Sequence, residues 1–195
     1  MFKNIDDLQE QLRKKNYIAD RQLATTMFLS TEMKKPIFLE GEAGVGKTDV
    51  ANVLSDITGS NLIRLQCYEG LDANTALYEW NYAKQLLRIK MEEAKGGSRE
   101  ALEDTIFSPE FLVSRPLLQA IQESNDQSPV LLIDEVDRSD EEFEAFLLEV
   151  LADFQISIPE IGTIRANHKP YVILTSNRTR DVHDALKRRC LYMWI

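Results

Sequence analysis

Five short apolar runs constrain this chain most: Pro36–Glu40 (PIFLE), Asn61–Gln66 (NLIRLQ), Val130–Asp134 (VLLID), Tyr171–Thr175 (YVILT) and Leu191–Ile195 (LYMWI). They read as unalternated runs, the pattern of strands covered on both faces. Helical spacing lies between them. Val50, Val53, Leu54 and Ile57 fall at i, i+3, i+4 and i+7 before Gly59, and Phe143, Phe146, Leu147, Val150, Leu151 and Phe154 repeat the pattern. Ser139 and Asp140 stand where an N-cap is wanted, with acidic residues after them. Strands alternating with helices predict an α/β domain with a mostly parallel sheet, and 195 residues suffice for its core.

Two stretches break the rhythm. Cys67–Gln127 is too long for one connection. It holds the aromatic run YEWNY (Tyr78–Tyr82), a helix-like segment to Lys95, the linker-like GGSRE and a second apolar segment near Phe111–Ile121. Gln155–Ala166 (QISIPEIGTIRA) reads as a small hairpin inserted before the YVILT strand.

The net charge of −9 argues against non-specific binding to nucleic acid or anionic membranes. Cys67 and Cys190, far apart in apolar neighbourhoods, are expected as buried free thiols of a reducing compartment. His168 and His183 do not make a metal site with so few thiols. The polar N-terminus is no signal peptide, and no apolar stretch approaches membrane-spanning length, so a cytoplasmic location without membrane insertion is expected.

Three motifs carry chemistry. GEAGVGKT, Gly41–Thr48, matches G-x-x-x-x-G-K-[ST] between a strand and an amphipathic helix, the context of a phosphate-binding P-loop. Its glycines let backbone N–H groups and the helix N-terminus approach an anion. Lys47 would place its ammonium on the β- and γ-phosphates, and the Thr48 hydroxyl would ligate Mg²⁺. The nucleotide-binding candidates are Gly41, Glu42, Ala43, Gly44, Val45, Gly46, Lys47, Thr48 and Asp49. VLLIDE puts Asp134 at a strand tip, where open α/β sheets bind ligands, so it can hold the Mg²⁺. Glu135 is then placed to polarise an attacking water. Alone, an Asp–Glu pair after a strand would read as a cap or solvated pair; beside a P-loop the functional reading is preferred. YVILTSN carries Asn177 just past a third strand. Its amide would reach the γ-phosphate or the attacking water if that strand lies between the other two, and otherwise it reads as a turn residue.

Arg178, Arg180, Arg188 and Arg189 cluster toward the far edge, beyond easy reach of their own P-loop. One could enter a neighbouring subunit's site, where such a guanidinium contributes roughly 10³–10⁵ in rate. The alternative is a surface ion pair with Asp181 or Asp184, the preferred reading for Arg188.

In this order, P-loop, hydrophobic-DE strand, strand-Asn and arginine resemble an AAA+ ATPase. The wording LEGEAGVGKT, LQCYEGLDANTALYEWNY, LLIDEVDRSDEEFEAFLLEVL and TSNRTRDVHDALKRRC is similar to the MoxR type, nearest to carbon monoxide dehydrogenase accessory ATPases. The resemblance covers essentially the whole chain. It implies a three-layer αβα sandwich with sheet order 5-1-4-3-2, an insertion in the second helix (about 67–127) and a hairpin before the sensor strand. It implies ATP and Mg²⁺ as ligands, Arg189 as the finger, and Tyr17, Ile18 and Ala19 along the adenine pocket. It further implies a ring, as a hexamer, that remodels a partner protein. That partner would be a metalloenzyme under maturation, or a von Willebrand A-type protein. Both insertions would face the pore, making Trp80 and its neighbours partner contacts unless they are core. A helical lid would follow the fifth strand. The chain stops on that strand, so residues 1–195 are expected to be a fragment lacking the lid.

Two rival functions are a nucleotide-binding module without turnover and a small P-loop kinase. A kinase needs a phosphoacceptor pocket and a basic lid, for which the sequence offers no candidate, whereas Glu135 and Asn177 suit water activation.

Overall fold

A computed structural model describes residues 2–95, 106–124 and 127–195; the linker-like GGSRE lies outside them. In chain order the first elements are α1 (Ile5–Lys14), α2 (Arg21–Met33), β1 (Ile37–Glu40), α3 (Lys47–Thr58), β2 (Leu62–Gln66), α4 (Ala73–Leu77), β3 (Tyr78–Trp80) and α5 (Tyr82–Lys95). Then come β4 (Leu112–Ser114), α6 (Pro116–Gln122), β5 (Val130–Asp134), α7 (Glu141–Asp153), β6 (Gln155–Ile158), β7 (Gly162–Arg165), β8 (Tyr171–Ser176), α8 (Asp184–Arg189) and β9 (Leu191–Trp194).

Five strands form one sheet in the order β2-β5-β8-β1-β9, every neighbouring pair parallel. Counting these strands along the chain gives 5-1-4-3-2 from β9, as the resemblance implies. The register sets Ile37 beside Ile173 and Leu191, and Leu131 beside Ile63 and Val172. β1 and β5 are buried throughout, which explains their unbroken apolar runs. At the two edges the burial alternates, so Arg64 and Gln66 on β2 and Tyr192 and Trp194 on β9 face solvent.

Side chains alternate across the sheet and build a core on each face. Ile37, Leu39, Leu132 and Ile173 pack with Leu8, Leu12, Met27, Val50 and Leu54 of α1, α2 and α3. Phe38, Leu131, Ile133, Val172 and Leu174 pack with Leu117, Leu118, Phe143 and Leu147 of α6 and α7. Each such side chain contributes about 1.5–3 kcal/mol on full burial. The result is a three-layer α/β sandwich. Asn4, Asp20 and Asp140 cap α1, α2 and α7 by accepting the N–H of Asp7, Leu23 and Phe143 at 2.8, 2.7 and 2.8 Å. Asp140 is therefore the cap. The Ser139 hydroxyl instead donates to the Val136 carbonyl at 2.7 Å, closing the tight turn before α7.

Between Cys67 and Gln127, β3 and β4 pair antiparallel and α6 packs back on the sheet. Trp80 is 8% exposed and meets the Phe107 ring edge-on at 5.3 Å. Of the two readings left open for Trp80, the structure favours core: it is buried within the insertion, while Tyr82, Leu86, Leu87 and Met91 of α5 are exposed. The hairpin forms as β6 and β7, with Ile158 opposite Gly162. Cys67 is buried as expected, but Cys190 is only partly so, and both are free thiols.

Candidate nucleotide site at the strand tips

The loop Gly41–Gly46 leaves β1 and runs into α3. Gly44 and Gly46 have φ of 85° and 92°, in the left-handed region that favours glycine. Gly46 also occupies the N-cap of α3, where no side chain accepts a hydrogen bond. The contrast with α1, α2 and α7 matters. Their first-turn N–H groups are served from within, whereas those of α3 keep their positive end turned to the loop.

A cleft of about 300 Å³ opens there, lined by the loop and by Asp134, Glu135, Thr175 and Asn177. Lys47 is 6% exposed, and its ammonium donates to the Gly41 and Glu42 carbonyls at 2.8 and 2.7 Å. Burial lowers its pKa, against the opposing pull of Asp137, Asp134 and Glu135. The carbonyls hold the cation where an incoming phosphate would replace them as partners.

Asp134 ends β5 with 3% exposure. Its Oδ1 accepts the Thr175 hydroxyl at 2.5 Å and the Thr48 hydroxyl at 3.2 Å. Glu135 follows in a left-handed conformation, φ 55°, that swings it out of the strand line. The Thr175 hydroxyl fixes it there by accepting the Glu135 N–H at 2.9 Å. The Glu135 carboxylate accepts the Asn177 amide at 3.2 Å and the Gln66 amide at 3.0 Å, and pairs with Arg138 at 3.3 Å. β8 does lie between β1 and β5, so Asn177 joins Lys47 and Glu135 at one cleft.

The donor set fits a hard divalent cation. A carboxylate and a hydroxyl stand side by side, and Mg²⁺ takes one or two protein oxygens and completes its shell with phosphate and water. Among the described residues no group of three or more His, Cys, Asp or Glu could hold a metal by itself. Further ligands would have to come from phosphate oxygens and water.

Other expected residues lie elsewhere. Tyr17 packs against the α1–α3 core, its phenol pKa raised by burial and by Asp49 and Asp20. Ala19 is buried and Ile18 is 88% exposed; none of the three lines the cleft. Arg180 is a structural clamp, paired with buried Glu144 and donating to the Ser139 carbonyl at 2.7 Å. Arg188 pairs with Asp184 at 3.8 Å on the surface. Arg189 donates to the Leu148 carbonyl at 2.6 Å, and Arg178 lies over the Trp194 ring.

Sequence reasoning passed over Arg64, Gln66 and Thr175. The sequence offered only a partial signal, since Arg64 and Gln66, two apart on a strand, share a face, and it takes the register to set that face beside Asp134.

Fold and cleft together define a P-loop nucleotide-binding domain. Residues 36–190 match the AAA domain of the dynein-related subfamily, and the chain belongs to that family. A 154-residue stretch is 28% identical to the Lon protease of Halothermothrix orenii, covering 75% of this chain and 15% of that protein. A crystal structure from Cytophaga hutchinsonii, described as that of a candidate ATPase, matches 98% of this chain and 49% of its own with a TM-score of 0.61 at 18% identity. The chain thus spans about half the length of that structure and less of the protease. It carries an AAA-family domain, and among the described residues no helix is long and apolar enough to cross a membrane.

Proposed function

We propose that the cleft binds ATP with Mg²⁺ and hydrolyses it, and that the energy released remodels a partner protein. The observation that carries this reading is the meeting of Lys47, Thr48, Asp134, Glu135 and Asn177 around one cleft from three adjacent strands. Gly41–Asp49 would wrap the phosphates, with Lys47 neutralising charge on the β- and γ-groups. Thr48 and Asp134 would hold Mg²⁺, which supplies further charge neutralisation. Glu135 would take or orient the proton of the attacking water while Asn177 holds it in line, a role worth about 10²–10⁴ in rate. Tyr17, Ile18 and Ala19 would border the adenine, the exposed Ile18 offering an apolar face.

Arg189 would act on a neighbouring subunit's phosphate, exchanging the Leu148 carbonyl for it, so that full turnover depends on ring assembly, as a hexamer. A protein partner is supported by the exposed Tyr82, Leu86 and Leu87 of α5. Metalloenzyme maturation, and a von Willebrand A-type partner, rest on the sequence resemblance alone.

The test is ATPase rate against protein concentration, with sizing at each point. Specific activity rising with assembly supports the reading. Nucleotide binding without turnover in every assembled state would leave a binding module, and absence of nucleotide binding would end the assignment.

A further inference from the structure

Asp134 has two carboxylate oxygens, and they face different partners. Oδ1 takes the hydroxyls of Thr48 and Thr175. Oδ2 takes the guanidinium of Arg64, 2.5 Å from Nη2. The same nitrogen donates to the Gln66 side-chain oxygen at 2.8 Å, which fixes the guanidinium over the carboxylate. Asp134 is 5% exposed at its side chain and Arg64 is 53% exposed. A nearly buried anion is thus satisfied by a cation that can swing into water.

That arrangement matters for a carboxylate expected to hold a divalent cation. A neighbouring opposite charge stabilises a carboxylate's anionic form and competes with any second cation for the same oxygens. Arg64 reaches Asp134 from the edge strand β2, whereas Thr48 reaches it from the P-loop. The two sides of one carboxylate are served by different elements, so the edge side can open while the P-loop side stays in place.

We propose that Arg64 guards the cation site: it holds Asp134 when no divalent cation is bound, and must release Oδ2 before the cation is held tightly. Arg64 is then a positioning residue that sets the Mg²⁺ concentration at which the site fills. The inference rests on the nucleotide reading above.

The test measures binding, not turnover. A fluorescent ATP analogue is titrated into the full chain at increasing Mg²⁺, with EDTA as the cation-free baseline, for wild type, Arg64→Met and Arg64→Gln. Losing the competing charge should lower the half-saturating Mg²⁺ concentration roughly tenfold in both variants. Affinity in EDTA should not rise, because removing the cation beside the cleft-lining Asp134 only adds repulsion to the analogue's phosphates. Mn²⁺ binding followed by electron paramagnetic resonance should move in the same direction. An unchanged or raised midpoint in folded variants would overturn the guard while leaving the nucleotide site intact. Should wild type and Lys47→Ala bind the analogue equally poorly, the nucleotide reading itself fails and takes the guard with it.

Discussion

Two pairs of carboxylates lie within eleven residues of one another, and their partners differ in kind. Asp137 and Glu144 are at most 2% exposed and are served mainly by backbone. Asp137 accepts the N–H groups of Asn177 and Thr179 and the Thr179 hydroxyl, and Glu144 accepts the His183 N–H at 2.7 Å beside its Arg180 pair. Asp134 and Glu135 face the cleft and are served largely by side chains, including the half-exposed Arg64 and Arg138. Backbone donors cannot leave without unfolding; side-chain donors can rotate away. The first pair staples the loop after β8 to α7, and the second is built to exchange partners.

Substitutions should separate the pairs, beginning with the largest effect. Arg189→Ala should lower turnover by roughly 10³-fold or more, if it acts in trans. Mixing it with Glu135→Gln subunits should then restore part of the rate, and mixtures inactive at every ratio would remove that role. Glu135→Gln alone should slow turnover about 10²–10⁴-fold while nucleotide binding and melting temperature hold; wild-type turnover would take Glu135 out of the mechanism. Glu144→Gln should do the reverse, costing about 3 kcal/mol in denaturant unfolding because it strands Arg180 beside a buried neutral group. If nucleotide affinity of its folded fraction also collapsed, the two pairs would not be independent.

The smallest effect concerns pH. Burial, reinforced by Asp134 and Asp137, pushes the Cys67 thiol up to about 12. The unfolded chain loses this proton near the ordinary thiol value while the folded chain keeps it, so stability falls as pH rises between the two. The loss is on the order of 1 kcal/mol per pH unit above about 9. Cys67→Ala should flatten that part of the slope, and an identical slope would assign it to other groups.

The parallel sheet was legible because burial on both faces demands unbroken apolar strands, and PIFLE and VLLID are short runs of that kind bounded by turn or cap residues. The P-loop was legible because GEAGVGKT sits between a strand and a helix. The alternation in NLIRLQ was harder to use. Arg64 and Gln66 look like the solvent face of an edge strand, and only the register shows that this face ends at Asp134. Trp80 was ambiguous for a related reason: an aromatic run has no period that separates core from contact. Phe107, its edge-on partner, lies twenty-seven residues away and gives no local signal.

Gly41 ends on a different kind of consequence. It begins the P-loop, yet a Cβ there would collide with the backbone carbonyl of Ile195, and Ile195 donates its N–H to the Glu40 carbonyl at 2.9 Å. The loop that grips phosphate and the outermost strand are therefore laid backbone on backbone, with no compliant side chain between them. A side chain at Gly41 would have to displace main chain rather than a rotatable group, so the residue that opens the loop also sets how closely the end of the outer strand can lie against it.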